Sequence, residues 1–436
     1  MLGQSAVVAL LPLWLAGVSA LRMLGDLSFD STTGSQAHSA TSMASLSVPF
    51  HSIVNAASVD EFNSSSASIS AASASMVFFI SISLGTPATQ INVLLDSGSP
   101  TFWVTSTACH VGNGCALGKY NPLSSSTSRH ITGQVVERFY GDGTQVECTV
   151  MSDTLTLAGV SIPNQHVCVA TVAKFPSTAG ISGMIGLGPP RRTDSADVFS
   201  NMKTTFNDSM VSFYYNRQVI PVTPKDLIPD AGEVTFGTPN AARYTGDFNW
   251  FPSHPTDPHW AVTLSSIEVN GKIVTQNKHI TAMIDTGTTL VILDEVTFRA
   301  INIAMDGVRQ GPVYVVDCAK VKSFPPVIFT FGKISIVMPW DQQYFVFQNK
   351  YCISVFSYIE GGSMASATIL GAWFLRNHYV VFDYGGARIG LATPVGDVVP
   401  VVLPPGGRSG GVVTRGGGGW GSVLIVIIAG MIVYAM

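Results

Sequence analysis

Apolar and polar residues alternate in short runs along most of the chain. The stretches "MVFFISISLG" from Met76, "INVLLD" from Ile91, "SDTLTLAGVSI" from Ser152 and "SSIEVNGKI" from Ser265 each change character at every second or third residue, and Gly, Pro or Asn ends them. A period of two marks a strand with one face in a core, and turn residues at such short intervals leave little room for long helices. The pattern predicts a mostly β protein.

The pattern fails at both ends. Residues 1–20 contain the apolar run "SAVVALLPLWLAGVSA" closing on Val18, Ser19 and Ala20, which reads as a signal peptide and its cleavage point, although no Lys or Arg precedes the run. Residues 21–75 are rich in Ser and Ala and are read as a propeptide or linker, with Arg22 as their one basic residue. Two lobes are expected between, over 76–240 and 241–396. A Gly- and Pro-rich spacer, 397–422, then leads to the hydrophobic tail 423–436, "VLIVIIAGMIVYAM". A helix needs about 20 apolar residues to cross a bilayer, so the tail is short for a span. Small residues at Ser409, Gly410 and Gly411, a spacer and a terminal apolar run fit a GPI-attachment signal, with Ser409 as the candidate site and a true transmembrane helix as the alternative.

At 436 residues, 46% of them hydrophobic and 11% charged, the chain is long enough for two cores and is no disordered tail. A formal net charge of −4 without charge blocks offers no phosphate-tracking stripe, so nucleic acid is not an expected partner. Six cysteines in a secreted chain point to three disulfides, whose pairing the sequence leaves open. None forms a CxxC pair and "HPTDPH" is broken by Pro, so no metal site is expected. "GRSGG" matches a nucleophile elbow in letters only, because it lies in the Gly-rich spacer and not between a strand and a helix. No GxGxxG or Walker pattern is present, and no cofactor is expected. Asn207 in "NDS" is a candidate glycosylation acceptor; Asn63 in "NSS" would leave with the propeptide.

The chemistry lies in a corner that occurs twice. "LLDSGSPTFWV" carries Asp96 at the end of an apolar run, and "MIDTGTTLVIL" carries Asp285 in the same place. A single Asp-x-Gly is usually a turn, because Asp bonds its own backbone and Gly accepts positive φ. The repetition, with hydroxyls one and three residues after each acid (Ser97 and Ser99, Thr286 and Thr288), points to two oriented carboxylates. Hydroxyls so placed can donate to a buried acid that lacks a cation. Behind each corner, "GMIGLG" with Gly186 and "TILGAWFL" with Gly371 would let a second strand pass close by.

From about Val77 to Pro394 the chain resembles the pepsin-like aspartic proteases. "DSGSPTFWV" and "IDTGTTL" are similar to the two active-site motifs, "ERFYGDGT" to the flap, and "TILGAWFLRNHYVVFDYGGARIGLA" to the C-terminal signature. The resemblance implies a bilobal fold of two pseudo-twofold-related, barrel-like β lobes with a cleft between them. It implies Asp96 and Asp285 as the catalytic pair, oriented by Ser97, Gly98, Ser99, Thr286, Gly287 and Thr288. Tyr140, Gly141, Asp142, Gly143, Trp103 and Thr289 are the implied flap and substrate-binding residues. The implied disulfides are Cys109–Cys115, Cys318–Cys352 and, with them, Cys148–Cys168. Ser97 and Ala372 stand where relatives commonly carry Thr and Asp.

The implied activity is hydrolysis of peptide bonds in extended protein or peptide substrates by a monomeric endopeptidase. It would be attached at the cell surface, or alternatively at an endolysosomal or vacuolar membrane. The competing class is a catalytically silent binding or adhesion protein on the same scaffold. Silent members typically lose an acid or the flap residue, and this chain keeps both acids and Tyr140.

Overall fold

The computed structural model describes residues 43–55, 75–110, 115, 119–140, 144–174, 181–189, 198, 201, 205–217, 227–275, 279–310, 313–347, 351–361, 364–396, 402–403, 426–428 and 431–433. The expected signal peptide, Gly141, Asp142, Gly143, Ser409 and most of the spacer and hydrophobic tail lie outside them. The described residues belong to one unit, Ser42–Met436. Among them no helix is long and apolar enough to cross a membrane.

The first half is built from β1 (Ser45–Asn55), β2 (Ser75–Leu84), β3 (Thr89–Asp96), β4 (Trp103–Thr105), β5 (Arg129–Phe139), β6 (Gln145–Leu157), β7 (Val160–Lys174) and β8 (Ile181–Gly186). β9 (Met210–Tyr215), β10 (Leu227–Gly237) and β11 (Tyr244–Pro252) follow. β3 runs parallel to β8 with Asp96 opposite Gly186, while β4 lies antiparallel to β8 and parallel to β7. The second half repeats this arrangement. Ile280–Ile284 is parallel to Thr368–Leu370, and Val291–Ile292 is antiparallel to that strand and parallel to Phe356–Ser357. Each acid therefore ends the same strand of the same motif.

Gly186 and Gly371 make the motif possible. A Cβ on Gly186 would overlap the backbone of Pro100 and Thr101, and one on Gly371 the carbonyls of Thr288 and Leu290. Only a residue without a side chain lets the two chain segments come so close. The protein is mostly β and bilobal, each half closing its own barrel-like sheets. A helix, Glu295–Ala304, packs on the second half, its N-terminus capped by the Asp294 carboxylate, which accepts from the amides of Val296 and Thr297.

One sheet joins the halves. Among the described residues its order runs from β11 through Arg388–Pro394, Tyr379–Asp383, β9, β10 and β1 to β2 and β3. β1 lies within the 21–75 segment and is a strand of this sheet. It pairs with β10 from Ser45 opposite Gly237 to Ile53 opposite Leu227, and with β2 from His51 opposite Phe79 to Asn55 opposite Ser75. Phe50 is 0% exposed, its ring 5.3 Å from Phe78 and 5.4 Å from Tyr215. A Cβ on Gly232 of β10 would collide with that ring. Burying one phenylalanine contributes about 2–3 kcal/mol, which ties β1 to the core that runs on through Phe213 and Phe382 into the second half.

Candidate active site

Strand alternation delivers the acids. Val93 and Leu95 face the core of the first half, as Ala282 and Ile284 do in the second, and the carboxyls emerge where the two motifs meet. Asp96 is 5% exposed and Asp285 7%. Each is held by its own turn. The Gly98 amide donates to Asp96 Oδ1 at 2.9 Å and Ser99 Oγ to Oδ2 at 2.5 Å. The Gly287 amide donates to Asp285 Oδ1 at 2.8 Å and Thr288 Oγ1 to Oδ2 at 2.6 Å.

The two turns also interlock. A Cβ on Gly98 would stand 2.8 Å from the Asp285 carboxylate, and one on Gly287 would stand 2.5 Å from Asp96 Oδ1. The absent methyl groups are the space in which the carboxyls reach hydrogen-bonding contact with each other. Burial first, and the charge of Asp285 second, raise the Asp96 carboxyl well above the ordinary aspartate range, against the donations from Ser99 and Gly98.

Ser97 and Thr286 act differently from the expectation that every hydroxyl here points at an acid. Ser97 Oγ donates to the carbonyl of Ile284 at 3.0 Å and accepts from the Thr286 amide at 2.9 Å. Thr286 Oγ1 donates to the carbonyl of Leu95 at 2.9 Å and accepts from the Ser97 amide at 3.0 Å. Adjacent residues of an extended chain face opposite ways, so the hydroxyl next to each acid turns to the other half. These four bonds lock the turns together and orient the carboxyls indirectly.

The remaining site residues surround this centre. Tyr140 follows the end of β5, and its amide donates to the Thr144 carbonyl at 2.9 Å. Its ring packs with Val136 on a buried cluster that includes Phe79, Leu94, Trp103 and Met184. The Tyr140 hydroxyl lies against Trp103 and Ser99; burial and the Asp96 charge raise its pKa, which keeps it neutral. Trp103 is fully buried in β4. Thr289 is also buried, and its carbonyl accepts from the Trp373 amide at 3.0 Å.

Other contributors escape local reading. The Leu187 amide donates to the Asp96 carbonyl at 2.7 Å, and the Leu187 carbonyl accepts from Trp260 Nε1 at 2.9 Å and the Tyr384 hydroxyl at 2.7 Å. The second half thus braces the strand behind the first acid. Met184 places Sδ 3.7 Å from Ser99 Oγ, and Arg138 bonds Thr101 beside the Asp96 turn. Their signal was the period of two in "GMIGLG" and "ERFYG", which sets Met184 on the face of Gly186 and Arg138 on that of Tyr140.

The family model described as "Eukaryotic aspartyl protease" matches residues 77–394. The chain belongs to the eukaryotic aspartyl proteases. Embryonic pepsinogen of Gallus gallus is 31% identical over 330 residues, which cover 73% of this chain and 81% of that protein. Pregnancy-associated glycoprotein 2 of Bos taurus is 30% identical over 319 residues, covering 72% and 81%, and pepsin A of Suncus murinus 29% over 324 residues, covering 73% and 81%. In this aspartyl protease the disulfides are Cys109–Cys115, Cys148–Cys168 between β6 and β7, and Cys318–Cys352. Asn207 is exposed.

Proposed function

We propose that the chain is an active aspartic endopeptidase that hydrolyses peptide bonds in extended protein or peptide substrates, with Asp96 and Asp285 as its catalytic pair. The observation that carries this reading is the contact of two buried carboxyls, each oriented by one amide and one hydroxyl of its own turn. The pair shares a proton. The ionised member takes a proton from a water held between the acids; that water attacks the scissile carbonyl, and the neutral member donates to the carbonyl oxygen. No acyl-enzyme forms. Tyr140 covers the bound peptide and excludes solvent, and Trp103 supports Tyr140 from behind.

Asp96→Asn and Asp285→Asn should each lower cleavage of an unfolded protein substrate at mildly acidic pH by about a thousandfold or more. Circular dichroism should stay unchanged. Hydrolysis by either variant at the parent rate excludes the pair.

The proposed organisation is a signal peptide over 1–20, a propeptide or linker over 21–75, lobes over 76–240 and 241–396, a spacer over 397–422 and a GPI-attachment signal over 423–436. The composition of the tail supports surface attachment through Ser409. A phosphatidylinositol-specific phospholipase should release the protein from cells, and full retention would favour a transmembrane tail. Exposure of Asn207 supports its glycosylation, which a mobility shift on N-glycosidase treatment would show.

A further inference from the structure

β8 runs between β3 and β4, and the register sets Met184 opposite Leu94 on one side and Trp103 on the other. Its thioether lies in the buried cluster that these residues share with Phe79, and Sδ stands 3.7 Å from Ser99 Oγ. Ser99 has one hydroxyl proton, and the shorter contact takes it: Oγ donates to Asp96 Oδ2 at 2.5 Å. A thioether is a weak acceptor and does not compete for that proton. Met184 is 7% exposed and Asp96 5%, so the sulfur and the acid beside it are open to solvent to the same small degree.

We propose that Met184 is a modification site: oxidation to the sulfoxide by a hydroperoxide draws the Ser99 hydroxyl away from Asp96 and lowers activity. The inference rests on the endopeptidase reading of the Asp96–Asp285 site, which requires water at the acids. Hydrogen peroxide, uncharged and little larger than water, enters by the same route. A sulfur lone pair takes one peroxide oxygen, the O–O bond breaks, and the proton on the transferred oxygen leaves with the other oxygen as water. The sulfur is oxidised by two electrons and the peroxide is reduced by two. The product carries a strong acceptor on the atom that already faces Ser99, and the 3.7 Å gap admits its oxygen at the ordinary O–H···O separation of about 2.7 Å. The one Ser99 proton then serves the sulfoxide, and the Asp96 carboxyl loses a donor that lowers its pKa. The groups left facing Asp96 are the Gly98 amide, Asp285 from the second half and the Tyr140 hydroxyl, on which the Arg138 charge also acts. The acid limb of the rate profile therefore moves to higher pH.

Met184 as a mere wedge in the apolar cluster predicts a different result, an equal loss at every pH. The test treats the purified protein with hydrogen peroxide for graded times, stops the reaction with catalase, and maps sulfoxide residue by residue by mass spectrometry, because the chain has 14 methionines. Cleavage of an unfolded protein substrate is then followed across the acidic range. Activity should fall in step with sulfoxide at Met184 and not with that at exposed Met43, by about tenfold when Met184 is fully converted. The acid limb should move upward over the same interval. M184L and M184I cannot form the sulfoxide, and each should keep its own untreated rate under the treatment that converts the parent. An equal fractional loss in both variants overturns the proposal. So does a parent that keeps its rate and acid limb with Met184 converted, or a Met184 that stays a thioether after the activity has gone or throughout treatment that converts Met43. Absence of turnover in the untreated parent counts against the endopeptidase reading. The fate of the Ser99 bond is then read from the pH dependence of the melting temperature, whose Asp96-linked fall should move to higher pH in the oxidised parent and stay in place in oxidised M184L; a fall that stays in place in both overturns the proposal.

Discussion

Asp96 couples the paired carboxyls to stability with a definite sign. The folded chain keeps a proton that the unfolded chain releases near the ordinary aspartate value of about 3.9, because burial and the Asp285 charge raise the folded carboxyl. The stabilisation is complete below the unfolded value and is lost as pH rises through the folded one. Asp96→Asn removes the titration, so its melting temperature should exceed the parent's at pH 7, with the difference closing toward pH 3; scanning calorimetry would contradict this by finding the variant less stable at pH 7. Ser97→Ala deletes two buried bonds to the second half and strands the Thr286 amide. Its cost should be on the order of 2–3 kcal/mol in urea unfolding, whereas Ser97→Thr, which keeps the hydroxyl, should stay within about 1 kcal/mol. The acids themselves were legible because the sequence states them twice with the same neighbours. The aim of Ser97 and Thr286 was not, since each hydroxyl finds its acceptor in the opposite half of the chain.

At the scale of the element, β1 shows how composition hides a strand. "SLSVPFHSIVN" alternates Leu46, Val48 and Phe50 with other residues, but it sits in a segment rich in Ser and Ala, and the composition around it assigns it to a leader. What makes it framework is the pocket that Gly232, Phe78 and Tyr215 form for Phe50, and those residues are remote in sequence. Phe50→Ala should cost about 3–5 kcal/mol in denaturant unfolding, a figure that a dispensable leader would not show. The short helix Ala372–Leu375 offers a second case. His378 follows it, fully buried, and burial first and the Arg217 charge second lower its pKa to about 3. The unfolded imidazole takes up a proton near pH 6.5 and the folded one does not, so this stabilisation is present above that value and is lost as pH falls toward 3. His378→Gln should flatten the fall, which is on the order of 3 kcal/mol by about pH 4, and guanidine titrations of both proteins at pH 7 and 4 would show it. An equal acid loss in the variant would assign the effect elsewhere. Asp96 and His378 thus pull in opposite directions as the solution is acidified.

Across the whole molecule, the duplicated motif was legible because Asp, Gly and hydroxyl recur in order in each half, and the β class followed from the alternation. The sheet that joins the halves was not legible. Its strands β1, β9, β10 and β11 and the pair Tyr379–Asp383 and Arg388–Pro394 come from the margins of the two motifs, where no repeat announces them. The disulfides stay within one half each, so no disulfide holds the lobes together. That work falls to the shared sheet, to the four bonds of Ser97 and Thr286, and to the side chains of Trp260 and Tyr384 on Leu187. The place of β1 between β10 and β2 sets an order of events during synthesis. Ser45 cannot meet Gly237 until the intervening chain has been made, so the earliest strand to emerge is among the last to be seated. Any cut ahead of Ser45 made after this point would leave β1 locked in place by its pairings with β10 and β2.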